Sequence, residues 1–148
     1  MKQVCKHPTV NRDYSIEERF EAGMVLTGSE VKSLRGGKAS IKESYAVARA
    51  GEVFLVGSYI APYEAADIDG YDPTRSRKLL LKKREIDKLT GKTQIKGFAL
   101  VPTKVYFRGG YAKVELALGK GKKKFDKRAD IKKKDAEREM ARAVKRRN

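Results

Sequence analysis

The sequence predicts a mainly β protein with a few helices. Runs of alternating apolar and polar residues are separated by glycines, a pattern typical of antiparallel hairpins. The apolar pattern stops at Gly119, where a lysine-rich C-terminal stretch begins. Closure of a small sheet removes its exposed edges. We therefore expect an OB-like closed antiparallel β-barrel of about six strands, with two to three flanking helices and a basic C-terminal tail.

Glycine positions define the predicted strands. Gly51 lies between two β-rich runs, and Gly109-Gly110 suits a tight hairpin turn of the primed type. The first strand is expected to continue past a bend at Gly23. The predicted strands are residues 14–26, 45–50, 52–60, 98–107 and 111–118.

Two helices are expected between these strands. Thr27 and Glu30 have the spacing of a capping box, which predicts a helix over residues 28–35 that ends at Gly36-Gly37. After a loop over residues 62–71, Asp72-Pro73 predicts a second helix that ends near Gly91. The apolar stripe of this second helix is Leu79, Ile86 and Leu89, flanked by Leu80.

The charge balance indicates a polyanionic partner. The chain has 35 Lys and Arg against 19 Asp and Glu, which gives a net charge of +16. One cysteine and one histidine leave no intramolecular disulfide and no Cys/His zinc site. His7 adjoins a proline, and neither GxSxG nor a P-loop occurs. We expect a nucleic-acid-binding protein of the cytoplasm, without catalysis, cofactor or metal.

One folded unit with two flexible ends is predicted. Residues 1–12 are expected to be a flexible N-terminus, residues 13–119 the RNA-binding barrel, and residues 120–148 a basic tail. The tail has good helix formers but little apolar area, so burial does not offset the cost of ordering it. We expect it to be disordered when free and helical when bound to RNA.

Basic residues cluster on both predicted helices. Lys32 and Arg35 lie on the exposed side of the first helix, where they either meet phosphate or are only solvated. Glu30 as a capping residue needs no ligand. The second helix presents a larger basic set, which is again either an RNA contact or an ordinary solvated face. Its members are Arg75, Arg77, Lys78, Lys82, Lys83 and Arg84.

Four stretches of the chain, in order and spacing, closely resemble the small protein B family, the SsrA-binding or tmRNA-binding proteins of trans-translation. The first joins Tyr14-Ser15-Ile16-Glu17-Glu18 to Glu21-Ala22-Gly23, and the second is Gly28-Ser29-Glu30-Val31-Lys32-Ser33-Leu34-Arg35. The third is Asp72-Pro73-Thr74-Arg75-Ser76-Arg77-Lys78-Leu79-Leu80-Leu81. The fourth joins Gly119-Lys120-Gly121-Lys122-Lys123 to Asp126-Lys127-Arg128.

The resemblance implies an OB-like barrel that binds the tRNA-like domain of tmRNA at its D-loop and elbow. Carried over by position, Glu21, Leu80 and Lys113 belong to the RNA-binding surface, with Glu30, Lys32 and Arg35 close to it. Acidic Glu21 is expected to contact a base or ribose hydroxyl, or to hold neighbouring cations. Together with the basic set, the expected RNA-binding residues are Glu21, Glu30, Lys32, Arg35, Arg75, Arg77, Lys78, Leu80 and Lys113.

The resemblance also implies that the tail enters the small-subunit decoding region and the empty mRNA channel of the ribosome. The protein would deliver tmRNA to stalled ribosomes, as a monomer that binds neither DNA nor membrane. The expected ribosome-binding residues are Lys120, Lys122, Lys123, Lys124, Asp126, Lys127, Arg128, Ile131, Lys132, Lys133 and Met140.

An alternative is a basic ribosomal protein with an rRNA-binding extension. Stoichiometry separates the two: a ribosomal protein stays on all washed ribosomes, whereas a rescue factor is substoichiometric and co-purifies with tmRNA.

Overall fold

The computed structural model describes residues 2–63 and 70–122. Within these ranges it has nine strands and three helices, which confirms the mainly β class with helices. The elements are β1 Lys2–Lys6, α1 Val10–Asp13, β2 Tyr14–Met24, α2 Gly28–Arg35, β3 Ala39–Ser40, β4 Tyr45–Arg49, β5 Glu52–Val56, β6 Tyr59–Ile60, β7 Arg77–Leu80, α3 Lys83–Thr93, β8 Phe98–Arg108 and β9 Tyr111–Gly121.

Seven of these strands form one sheet in the order β1-β8-β4-β5-β7-β2-β9, with a further pairing between β8 and β9. Strands β3 and β6 form a separate two-stranded sheet. Successive side chains of a strand point to opposite faces of the sheet, and the apolar side chains on one face of the large sheet form the main core. Ala22, Val105, Val114 and Leu116 lie on that inner face and belong to the core.

The longest strands are β2, β8 and β9, each of 11 residues. The turn between β8 and β9 is the predicted primed type, because Gly109 and Gly110 have φ of 58° and 82°. In β2, the register runs without a break through Gly23, which pairs with Lys113 and Leu80. The irregularity falls between Ile16 and Glu18 instead of at the predicted bend.

Helix α2 has the predicted bounds and the predicted capping box. The backbone N–H of Glu30 donates to Thr27 Oγ1 at 3.2 Å, and the N–H of Thr27 donates to Glu30 Oε1 at 3.0 Å. The chain leaves the helix through Gly37, whose φ is 73°. Strands β4 and β5 form the predicted hairpin, but the second run is interrupted at Gly57 before β6 begins.

The predicted second helix is wrong in its first half. Asp72 caps only a turn, since its Oδ1 accepts from the N–H of Thr74 at 2.9 Å. Strand β7 follows, and helix α3 begins only at Lys83. Residues of β7 alternate between buried and exposed, so pairing with β5 and β2 outweighs the local helix signal. Leu79 is therefore buried in a strand and not on a helix.

The first residues form regular structure, although the sequence analysis assigned residues 1–12 to a flexible segment. Strand β1 pairs with the far half of β8, and α1 follows it. This pairing covers an edge of β8 that β4 does not reach, since β4 meets β8 only at Ala46 and Leu100. Residues 123–148, which include most of the predicted tail, lie outside the described residues.

A glycine opposite the irregularity in β2 allows the strands to approach closely. A Cβ on Gly119 would lie 2.9 Å from the carbonyl oxygen of Ser15, whereas a Cβ on Gly121 would meet nothing within 4 Å. We therefore expect Gly119→Ala to lower the free energy of unfolding by about 1 to 3 kcal/mol, because backbone has to shift. Gly121→Ala, the matched control, should stay within about 0.5 kcal/mol. Urea unfolding of both variants measures this, and equal stability of the two contradicts the close approach.

Candidate nucleic-acid interface

A buried carboxylate lies under the connection that leads into β7. The side chains of Glu30 and Arg77 are both fully buried, and Arg77 Nη2 lies 2.7 Å from Glu30 Oε2. Arg75 also binds both oxygens of Glu30, with its Nε 3.1 Å from Oε2. We call Glu30, Arg75, Arg77, Tyr71 and Ser58 the Glu30 cluster.

The guanidinium of Arg77 is fully engaged within this cluster. Its Nε donates to Glu30 at 2.8 Å, and its Nη1 donates to the carbonyl and hydroxyl oxygens of Ser58 at 2.8 and 3.0 Å. Its Nη2 donates to the carbonyl of Pro73 at 3.0 Å and to the hydroxyl of Tyr71 at 3.2 Å. A buried arginine is tolerated when its donors are paired in this way.

The cluster holds Glu30 in its charged form. Burial alone raises the pKa of a carboxyl group, but the hydrogen bonds from Arg75, the N–H of Thr27 and Arg77 outweigh it and lower the pKa of Glu30 to about 2. Glu30 and Arg77 were expected at the RNA surface, and their complete burial removes them from it. Arg75 remains about one-third exposed.

The residues Leu80, Gly23, Lys113 and Tyr106 follow one another across β7, β2, β9 and β8. Each is the register partner of the next, and we call them the outer row. Leu80 is 55% exposed, although it is apolar. A Cβ on Gly23 would lie 3.4 Å from Leu80 Cβ and 3.8 Å from Lys113 Nζ, so the missing side chain leaves room for both neighbours. Leu80 and Lys113, both expected RNA contacts, are thus brought together.

Glu21 lies beside the outer row, two residues before Gly23 on the same face of β2. Its Oε2 accepts a hydrogen bond from the Tyr106 hydroxyl and lies 2.7 Å from Arg108 Nη1. Two cations lie over the ring of Tyr106, Lys104 Nζ at 5.7 Å and the guanidinium of Arg108 at 5.5 Å from its centroid. Tyr106, Arg108 and Lys104 were not among the predicted contacts, and their alternation in one strand was the available signal.

The remaining expected contacts are more scattered. Arg35 lies over the ring of Phe107 at 4.8 Å, and Lys32 lies over Tyr63 at 5.4 Å. Lys78 is on the outer face of β7, where its Nζ lies 3.2 Å from Glu52, and not on a helix.

The described part of the predicted tail lies at the opposite end of the long strands. Lys120 pairs with Ser15 and with Phe98, and its Nζ lies 5.7 Å from the Phe98 ring. The N–H of Lys122 donates to the carbonyl of Asp13 at 2.9 Å. Because Lys113 and Lys120 are seven residues apart in one strand, roughly 23 Å separates the two regions. The expected tail residues outside the described ranges are Lys123, Lys124, Asp126, Lys127, Arg128, Ile131, Lys132, Lys133 and Met140.

Comparison with known proteins identifies the family. The profile of the SmpB protein family matches residues 4–146, nearly the whole chain. The chain belongs to the SmpB protein family. This is the family that the four sequence stretches resemble.

Similar proteins cover almost the full length of this SmpB-family chain. The SsrA-binding protein of Geobacter metallireducens is 54% identical over 147 residues, which is 99% of this chain and 96% of that protein. The SsrA-binding protein of Bacillus pumilus is 51% identical over 144 residues, covering 97% and 92%. A solved structure described as "tmRNA-SmpB: a journey to the center of the bacterial ribosome" aligns with a TM-score of 0.67 and 49% identity, over 81% of this chain and 85% of that one.

The described residues form neither a candidate membrane-spanning helix nor a candidate metal site. None of the helices formed by residues 2–63 and 70–122 is long and apolar enough to cross a bilayer. The same residues contain no group of three or more His, Cys, Asp or Glu side chains placed to hold a metal ion.

The Glu30 cluster predicts a specific pH dependence of stability for this SmpB-family protein. The folded-state pKa of about 2 lies below the ordinary value of 4.5, so the stabilisation is complete above pH 4.5 and is lost as pH falls towards 2. Glu30→Gln should therefore lower the free energy of unfolding at pH 7 by roughly 3 kcal/mol. The difference from the parent protein should shrink as pH falls from 4.5 to 2.

Urea unfolding at pH 7, 4.5, 3 and 2 measures this difference. Glu52→Gln is a matched control, because Glu52 pairs with Lys78 while both side chains are nearly half exposed. Its effect at pH 7 should be below about 1 kcal/mol. A Glu30→Gln penalty that stays constant across the pH series contradicts the assignment of the stabilisation to the Glu30 charge.

Proposed function

We propose that this chain binds the tRNA-like domain of tmRNA and delivers it to stalled ribosomes for trans-translation. Its full-length relatives are SsrA-binding proteins, and the similar solved structure concerns tmRNA, SmpB and the bacterial ribosome. The protein would work in the cytoplasm, where ribosomes are, and by binding instead of catalysis.

The outer row with Glu21 is the observation that carries this proposal for the folded part. It combines an exposed leucine, a lysine beside a glycine and a tyrosine with two cations over its ring. Lysine and arginine side chains release counterions when they meet phosphate, which supplies affinity. Leu80 adds apolar contact that a phosphate backbone alone does not use, and so favours a ligand with exposed bases or sugar faces.

Lys32, Arg35, Arg75 and Lys78 are proposed as a second ring of contacts around this centre. Lys32 and Arg35 provide positive charge in the last turn of α2, Arg75 just before β7, and Lys78 on β7. Arg35 already stacks on Phe107, and an arginine held in this way presents its edge donors to phosphate with little loss of entropy. Glu30 and Arg77 support this ring from below by fixing Arg75 and β7.

We also propose that the large sheet closes into an OB-like barrel. The pairings run from β8 through β4, β5, β7, β2 and β9 and return to β8, which supports a ring of six strands. The β4–β8 step has a single residue pair, so it is the weakest joint of that ring. An OB-like barrel commonly binds nucleic acid on an outer face of its strands.

Residues 120–148 are proposed to act on the ribosome, apart from the tmRNA-binding face. Lys120 and Lys122 start this segment, and Lys120 lies near the other end of the β2–β9 pairing from Lys113. The segment from residue 119 onward carries a net charge of +9, from 14 basic and 5 acidic residues. A basic segment can become ordered when it binds rRNA. An mRNA that occupies the mRNA channel of the ribosome would exclude it.

Charge reversal in the outer row tests the tmRNA proposal. Lys113→Glu should weaken binding of a transcript of the tmRNA tRNA-like domain by about tenfold or more, and should lower the salt slope by about one. Lys96→Glu, an exposed lysine between α3 and β8, is the matched control and should change the affinity only about twofold. Both are measured by fluorescence anisotropy across a salt series, with random RNA of equal length as competitor.

Equal losses for the two variants contradict the outer row as the binding face. A parent protein that does not prefer the tRNA-like transcript over random RNA at physiological ionic strength contradicts the proposed function itself.

A further inference from the structure

An acidic side chain sits within the cationic face of the proposed tmRNA site. Glu21 is about one-third exposed, and its Oε2 is occupied by the Tyr106 hydroxyl and by Arg108. In the part of the chain that the structure describes, its Oε1 receives no hydrogen bond. One oxygen of the carboxylate is therefore held by the protein, and the other is available to a ligand.

Tyr106 holds that carboxylate in one orientation. The residue is only 3% exposed, and Lys104 and Arg108 both lie over its ring. Burial raises the pKa of the Tyr106 phenol, and the hydrogen bond to Glu21 raises it further. The phenol stays protonated at neutral pH, so its O–H always donates and Glu21 always accepts.

The charge of Glu21 is compensated where it stands. Arg108 lies 2.7 Å away, so the carboxylate does not repel the phosphates that Lys113 attracts. An ionised carboxylate can only accept hydrogen bonds. Its free oxygen therefore cannot donate a hydrogen bond to a phosphate oxygen. It can accept a hydrogen bond from a group that presents N–H or O–H.

We propose that Tyr106 is a positioning residue that fixes Glu21 as an acceptor for a hydrogen-bond donor of the RNA, either the amino edge of a guanine or a ribose 2′-hydroxyl. This inference rests on the proposed function and names the chemistry that makes the site selective. Lys113 is the register partner of Gly23, which is two residues, or about 7 Å, further along β2 than Glu21. A phosphate and a donor group of neighbouring nucleotides can therefore be bound together.

The test compares variants on modified RNA. Tyr106→Phe removes one hydroxyl, and Tyr45→Phe does the same at a half-exposed tyrosine of β4 that lies outside the site. The probes are the tRNA-like transcript, the same RNA with its D-loop guanosines replaced by inosine, and the same RNA with 2′-deoxy sugars in that loop. Inosine lacks the amino group, and the deoxy sugar lacks the hydroxyl.

Tyr106→Phe should weaken binding of the unmodified RNA by about tenfold, since a hydrogen bond to a charged group is at stake. The penalty should nearly vanish on whichever probe lacks the donor: inosine identifies guanine, and 2′-deoxy identifies the ribose. A purely structural role of Tyr106 predicts the same penalty on all three probes. Tyr45→Phe should bind all three like the parent protein.

Glu21→Ala provides a second, independent measurement. Removing a negative charge from a cationic face should strengthen RNA binding if Glu21 acts only through its charge. Our proposal requires the opposite, namely weaker binding of the unmodified RNA and little effect on the donor-deficient probe.

Uniform penalties on all probes, unchanged binding by Tyr106→Phe, or tighter binding by Glu21→Ala each overturn the acceptor role. In all three cases the parent protein still prefers the tRNA-like transcript, so the proposed function survives. Loss of that preference in the parent protein overturns the proposed function and the acceptor role together.

Discussion

The ion pair between Glu30 and Arg77 joins parts of the chain that are far apart in sequence. Glu30 belongs to α2, Arg77 begins β7, and Ser58 precedes β6. Removing the charge of Glu30 leaves Arg77 buried without a counterion, which is among the most destabilising changes in a protein core. The orientation of β7 follows from this anchor: with Arg77 and Leu79 inward, Leu80 must point outward.

The proposed binding face thus depends on the buried ion pair beneath it. The buried pair sets β7, β7 places Leu80 beside Gly23, and the absent side chain of Gly23 leaves room for Lys113. On the next strand, Tyr106 and Arg108 hold Glu21. A face made only of lysines attracts any polyanion, whereas a compensated acid and an exposed leucine within it add selectivity that charge alone does not supply.

Local signals in the sequence were sufficient where the structure depends on neighbouring residues. The Thr27–Glu30 capping box and the Gly109-Gly110 turn involve contacts within a few residues, and both were predicted with the right type. Asp72-Pro73 was an equally good local signal for a helix, yet a strand follows it. Pairing with β5 and β2 decides that segment, and neither partner is visible in a local pattern.

The candidate site could be predicted only in part for the same reason. Glu21, Leu80 and Lys113 came from likeness to a family and do lie close together. The burial of Arg77 could not be read from a sequence in which it looks like one more basic residue. The Tyr106–Glu21 contact spans 85 positions and depends on the register of β2, β9 and β8, which the sequence pattern leaves open.

NMR of the protein's backbone amides, recorded with and without the transcript of the tRNA-like domain, tests the location of the proposed binding face most directly. The account predicts that shifts and line broadening concentrate at Glu21 to Gly23, Leu80, Tyr106 and Lys113, while the β4–β5 hairpin around Gly51 stays unchanged. Perturbation centred on that hairpin, with the outer row unaffected, would contradict it.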